Sequence, residues 1–122
     1  MTRRVLIVDD SATIRQQVRV ALTQAGFEVV EAVDGQDGVN KIRADATLAA
    51  VICDVNMPKK SGLELIEEIR SGGVGSTVPI VMLTTEGQPA LVQRAKAAGA
   101  KGWIVKPFKP NLLVAALQKI AG

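Results

Sequence analysis

Short runs of Val, Leu and Ile alternate along this chain with longer stretches whose apolar residues recur every three or four positions. That alternation constrains the fold more than any other feature, because it is the rhythm of βα units that bury a parallel sheet between two layers of helices. Strands are read at Arg4–Val8, Glu28–Ala32, Ala49–Cys53, Pro79–Leu83 and Gly102–Val105. Arg4–Val8 is continuous in Val, Leu and Ile, as expected of a strand covered on both faces. Between the strands, Ser11–Ala25 carries Ile14, Val18, Ala21, Leu22 and Ala25 at helical spacing and is stopped by Gly26. Asp34 caps a short helix containing Val39 and Ile42. Ser61-Gly62-Leu63-Glu64 has capping-box spacing and opens a helix through Leu65, Ile66 and Ile69. Pro89 begins a fourth helix that Gly99 ends, and Pro110 begins a fifth through Leu113 and Leu117. The Gly- and Ser-rich stretch 71–77 reads as a mobile connection. Five strands and five helices in 122 residues make one α/β domain, a doubly wound parallel sheet over residues 1–122, with no output domain expected beside it.

Composition removes whole classes of chemistry. The chain has no His and a single Cys, so it holds no Ser–His or Cys–His nucleophile pair, no disulfide framework and no zinc cluster. Apolar runs such as Leu48–Cys53 and Val78–Leu83 fall far short of a membrane span. Arg3-Arg4 is followed only by Val5–Val8 before Asp9, which is too little for a twin-arginine export signal. A cytoplasmic protein without membrane contact is expected. The net charge of +3 is unevenly placed: all twelve acids precede residue 87, and the segment after it carries Arg94, Lys96, Lys101, Lys106, Lys109 and Lys119. Phe27, Trp103 and Phe108 are too few aromatics for a base-stacking platform, and no helix-turn-helix or zinc signature occurs. Nucleic acid is therefore not expected as a partner. The basic segment is read either as a docking face for an acidic protein or as a solvated surface.

The functional signal lies in the polar residues that follow the strands. These are Asp9 and Asp10 after the first, Asp54 after the third, Thr84 and Thr85 after the fourth and Lys106 after the fifth. In an open parallel sheet, ligands bind outside the carboxyl ends of the strands, so these groups meet in one crevice. Singly each has a plainer role: an Asp caps a helix, a Thr sits in a turn, a Lys faces solvent. Together they would be several coincidences at one edge. Crowded carboxylates need a compensating cation, and a ligand set made only of oxygens suits Mg²⁺. A hydroxyl and a Lys suit the oxygens of a phosphoryl group, which a carboxylate can itself accept. Asp54, alone at its strand end, is the natural acceptor; the adjacent Asp9 and Asp10 suit the metal.

Val5-Leu6-Ile7-Val8-Asp9-Asp10-Ser11, Asp54-Val55-Asn56-Met57-Pro58 with Gly62, Leu83-Thr84-Thr85 and Lys106-Pro107-Phe108 occur in order across almost the whole chain. With them the sequence resembles the receiver domains of two-component response regulators. The resemblance implies the flavodoxin-like strand order 2-1-3-4-5. It implies that Asp54 takes a phosphoryl group from a sensor histidine kinase or a small phosphodonor in a Mg²⁺-dependent reaction. The chain would then be no enzyme beyond its own phosphorylation and dephosphorylation. Asp10, Asp54 and the backbone carbonyl of Asn56 would bind Mg²⁺ directly, Asp9 would act through water, and Thr84 and Lys106 would contact the phosphoryl oxygens. The resemblance also implies a cis Lys106–Pro107 bond, and places Asn56 and Glu86 where the family tunes hydrolysis; two polar residues there favour a short-lived signal.

Two positions depart from the family pattern. Thr85 stands where Ala or Gly is usual and is expected to narrow access to Asp54. Trp103 stands where the switch aromatic is Tyr or Phe, and is read as a modified switch that moves with Thr84, the alternative being a packed anchor. The family's output face is the fourth helix, fifth strand and fifth helix. With no acid in that segment, the salt-bridged dimer of transcription-factor receivers is disfavoured, so a monomer docking on an acidic target, such as a motor component in chemotaxis or motility, is expected. A phosphate sink or phosphorelay shuttle without its own target is the alternative role. From other classes, a flavodoxin-like nucleotide-binding module would set Asp9 and Asp10 against its own phosphate, and a Rossmann site would need a Gly-rich turn that is missing. A haloacid-dehalogenase-like phosphatase would want its two Asp residues two apart, and here they are adjacent.

Overall fold

The computed structural model describes residues 2–85 and 87–121. Within them the chain runs β1 (Arg4–Val8), α1 (Ala12–Gln24), β2 (Glu28–Ala32), α2 (Gly35–Ala44), β3 (Leu48–Cys53), α3 (Gly62–Arg70), β4 (Ile80–Thr84), α4 (Pro89–Ala97), β5 (Gly102–Val105) and α5 (Pro110–Ala121). The five strands are parallel and ordered β2-β1-β3-β4-β5, the order that the resemblance implies. The strand order reverses between β1 and β3, and that reversal opens a crevice at their carboxyl ends.

Two apolar layers hold the sheet. Val5 and Ile7 of β1 point to one face, where they meet Val18 and Leu22 of α1 and Leu113 and Leu117 of α5. Leu6 and Val8 point to the other, against Val39 and Ile42 of α2, Leu65, Ile66 and Ile69 of α3 and Ala95 of α4. All four β1 residues are fully buried, each contributing about 2 kcal/mol of transfer free energy, which is why the strand shows no polar alternation.

Element ends follow local chemistry. Ser11, and not Asp10, caps α1, its side chain accepting from the N–H of Ile14. Asp34 caps α2 through the N–H of Asp37, and Ser61 and Glu64 form the expected capping box of α3. Gly26 ends α1 at φ 93°, a left-handed backbone that glycine adopts without strain. β4 extends one residue beyond the expected boundary: Thr84 pairs with Val105, and its carbonyl accepts from the N–H of Lys106 (2.8 Å).

The segment 71–77 differs from the mobile connection expected of it. Arg43 donates to the carbonyls of Val74 (2.7 Å) and Glu68 (2.9 Å). Arg70 donates to those of Ser76 and Gly99, both at 3.0 Å. Two guanidinium groups from neighbouring helices thus take the carbonyls of Val74 and Ser76, beside the loop's own turns from the Ser76 N–H to Gly73 and the Val78 N–H to Gly75.

At the amino-terminal edge of the sheet, Asp45 accepts from the hydroxyl of Thr47, from Arg4 (2.7 Å) and from the N–H of Thr47 (2.8 Å). These bonds hold its pKa down at about 2 from the usual 3.8. A carboxylate depressed in the folded state adds stability above its unfolded pKa and loses it as the pH falls toward the folded one. Asp45→Asn is expected to cost about 1 kcal/mol at pH 7, after discounting for solvent screening. In urea denaturation that gap narrows as the pH is lowered from 4 toward 2.

Candidate functional site

Strand register assembles the site. Val8 of β1 pairs with Cys53 of β3, so the next residue of each chain, Asp9 and Asp54, emerges side by side. The Asp54 N–H continues the ladder to the carbonyl of Val8 (3.0 Å) and the Asp9 N–H to that of Ala32 (3.2 Å). Thr84 ends β4 and Lys106 follows β5, completing the same edge. Asp9, Asp10, Asp54 and Lys106 meet here; Asn56 follows on the adjoining loop, Trp103 lies within β5, and Glu86 lies outside the described residues.

Asp9, Asp54 and Thr84 are buried, whereas Asp10 is exposed. One carboxylate oxygen from each of Asp9, Asp10 and Asp54 lies within 4.8 Å of the others. The Lys106 ammonium donates to Asp9 Oδ2 (2.7 Å) and to Asp54 Oδ2 (3.3 Å). The other oxygen of each carboxylate is held by backbone: Asp9 Oδ1 accepts from the N–H of Ser11 (2.9 Å), and Asp54 Oδ1 from that of Val55 (2.7 Å). Burial raises the pKa of Asp9, and the bonds from Lys106 and Ser11 offset only part of that rise. Burial works to lower the pKa of Lys106, but the hydrogen bond and charge of Asp9, joined by the charge of Asp54, prevail and raise it. The ammonium is therefore firmly charged, and it is the cation that lets the two carboxylates share a crevice.

Three supports lie outside the predicted site residues, and of them only Gly62 belongs to the quoted motifs. Arg15 of α1 reaches back to the Asp9 carbonyl (2.6 Å) and is itself aimed by Glu31 (3.0 Å). Its one legible trace is its place on the polar side of the α1 helical pattern. Cys53, buried with its thiol pKa pushed up by desolvation, donates weakly to the Asp54 carbonyl (3.3 Å). Gly62 packs directly on that same carbonyl, where a Cβ would stand 2.1 Å from the oxygen.

The Lys106–Pro107 bond is cis, as the resemblance implies. Thr85 is exposed and stands on the rim of a groove of about 890 Å³ that runs from Lys106 between Ile14 and Val20 of α1 and Phe108. Trp103 sits opposite Met82 in the sheet ladder, half-buried against the core layer that α4 covers. Lys96, Lys101, Lys109 and Lys119 are exposed on α4, α5 and the turns around β5.

The donor set fits Mg²⁺. Its ligands are carboxylate oxygens with no imidazole, two of them fixed by backbone N–H groups and one open to solvent, as suits a hard ion that retains waters.

The response regulator receiver domain family matches residues 5–118. The chain belongs to that family. It is 40% identical over 120 residues to the chemotaxis protein CheY1 of Helicobacter pylori, covering 98% of this chain and 97% of the relative. The structure of the chemotaxis protein CheY4 of Vibrio cholerae superposes with a TM-score of 0.91 at 42% identity, covering 98% of this chain and 99% of that one. The receiver domain of the Pseudomonas aeruginosa sensor histidine kinase PA1611, solved with a magnesium ion coordinated in its active-site cleft, has a TM-score of 0.90 at 26% identity over 100% of this chain and 99% of that one. The fold and acidic crevice are thus those of a receiver domain of the CheY type. Among the described residues no helix is long and apolar enough to cross a membrane.

Removing the ammonium should expose its role. Lys106→Met leaves two buried carboxylates without a cation, at an expected cost of about 3 kcal/mol at pH 7. Asp9, its pKa already raised, takes up a proton as the pH falls, so the deficit against wild type shrinks in acid. Urea denaturation of both proteins across that range measures it.

Proposed function

We propose that Asp54 accepts a phosphoryl group from the phosphohistidine of a sensor kinase, and that the chain signals through its phosphorylated form to a protein target in chemotaxis. The observation that carries this reading is the Lys106 ammonium bridging Asp9 and Asp54 beside the buried Thr84. Such a site has a nucleophilic carboxylate, a fixed positive charge and a hydroxyl donor, and no group suited to hydrolysing a foreign substrate. An oxygen of Asp54 attacks phosphorus as the bond from phosphorus to the histidine nitrogen breaks. The imidazole leaves with the electron pair and takes a proton from solvent. Asp10, Asp54 and the Asn56 carbonyl would hold Mg²⁺, with Asp9 acting through water, and the ion would supply neutralisation of charge on the phosphoryl oxygens.

Once Asp54 carries the acyl phosphate, Lys106 loses one carboxylate partner and gains phosphoryl oxygens, and the Thr84 hydroxyl turns toward the same group. That difference in binding favours the active arrangement and shifts the population toward it. Trp103, packed below α4, follows Thr84 as the switch aromatic. Asn56 and Glu86 set the lifetime of the acyl phosphate. Thr85, exposed on the groove rim, slows the approach of donors to the crevice without closing it. The output face is α4, β5 and α5, whose exposed lysines select an acidic partner and keep two copies apart, so the chain works as a monomer.

With acetyl phosphate and Mg²⁺, intact mass is expected to show one added phosphoryl group on wild type and none on Asp54→Asn. Trp103 fluorescence changes in step. An adduct that persists in Asp54→Asn, or a wild type that takes neither a phosphoryl group nor beryllofluoride, overturns the reading.

A further inference from the structure

Gly35 begins α2, in a part of the chain that the site chemistry does not involve. A Cβ built on it would stand 2.0 Å from the Lys60 carbonyl oxygen and 2.7 Å from the Lys60 carbonyl carbon. The bare backbone of α2 is therefore the seat on which the β3–α3 loop rests. That loop is closed by its own backbone bonds. The Gly62 N–H bonds the Val55 carbonyl (2.8 Å), the Lys60 N–H bonds the Pro58 carbonyl (2.8 Å), and Lys59 between them takes a left-handed φ of 69°. Lys59 also reaches Asp34, the cap of α2, at 3.7 Å. At its inner end the loop starts on the Asp54 carboxylate, through the N–H of Val55 (2.7 Å).

We propose that Gly35 is a positioning residue for the metal: by seating the Lys60 carbonyl it sets where the loop presents Asn56 beside Asp54. This rests on the Mg²⁺ reading above. A loop closed on itself and pinned between Asp54 and Gly35 transmits a displacement at one end to the other. Any side chain at 35 must drive the Lys60 carbonyl back by about 1 Å or more to reach ordinary contact, and a helix backbone cannot yield to that. Mg²⁺ demands near-octahedral ligands at about 2.0–2.1 Å, so a loop displaced at the Lys60 carbonyl presents Asn56 away from the position the ion needs. The seat therefore acts on metal affinity as well as on the fold.

Gly38, one turn along the same helix, supplies the control. A Cβ there would meet Val8 and Leu65 side chains at 2.8 and 2.9 Å, so it crowds the core and not the loop. Calorimetric titration of MgCl₂ into wild type, Gly35→Ala and Gly38→Ala, with the thermal midpoint of each, separates the two effects. Gly35→Ala is expected to weaken Mg²⁺ binding about tenfold or more, the range for groups that orient metal ligands. Gly38→Ala lowers the midpoint and keeps the affinity within about twofold of wild type. Equal affinities in wild type and Gly35→Ala, or equal losses in both variants, overturn the proposal. Should Gly35→Ala not fold, Asp34→Ala decides: it frees the start of α2 without adding bulk. A weakening of about threefold or more supports the seat, and wild-type affinity overturns it. A wild type that gives no Mg²⁺ heat overturns the metal reading itself, a result distinct from any difference among variants.

Discussion

A buried carboxylate costs several kcal/mol unless a cation meets it, and this chain buries two of them next to each other. Asp9 and Asp54 leave adjacent parallel strands in register, so the sheet that stabilises the molecule also forces their charges together. The Lys106 ammonium, delivered from the end of β5, resolves the conflict by bonding both. Much of the surrounding structure serves that contact. Backbone N–H groups of Ser11 and Val55 occupy the oxygens that Lys106 does not, and Arg15 holds the backbone of Asp9 from behind. The crevice is a standing electrostatic compromise, easily rewritten by a new anion on Asp54 or a new cation beside it.

That compromise sits next to the least anchored helix of the fold. α4 fully buries only Ala95, has no side-chain cap bond at Gln88, and begins on Pro89. Its carboxyl end is held more firmly, because Arg70 of α3 donates to the carbonyl of Gly99 just beyond it. A helix fixed at one end and lightly packed along its length belongs to the low-stability part of a domain, where functional motions are drawn from. Thr84 ends β4 at the crevice and Trp103 packs in the core layer that α4 covers, so this lightly anchored helix and the crevice share neighbouring strands.

The parts of this arrangement legible in the sequence are those governed by local pattern. The unbroken apolar run of β1, the helical spacing of Ile14, Val18 and Leu22, and the capping box at Ser61 each depend on neighbours within a few residues. They placed the elements to within a residue or two, and the strand ends in turn placed Asp9, Asp54, Thr84 and Lys106 at one edge. Boundaries that depend on a partner strand were less legible: Thr84 belongs to β4 because Val105 pairs with it. The same holds for segment 71–77, whose order comes from Arg43 and Arg70, distant or facing elsewhere in a linear reading. Gly35 is the clearest case of what pattern cannot show. Its role is set by the absence of a side chain opposite a carbonyl 25 positions later, and no periodicity records that.

Lys106 is the cation that holds the acidic crevice together, and a phosphoryl group on Asp54 is expected to take it over. A crystal structure of the chain with Mg²⁺ and beryllofluoride reads this directly. Expected are beryllofluoride on an Asp54 oxygen, the Lys106 ammonium moved from Asp54 Oδ2 onto a fluorine, and the Thr84 hydroxyl bonded to the same group. Beryllofluoride bound elsewhere, or bound on Asp54 with Lys106 still on both carboxylates, would contradict this role of Lys106.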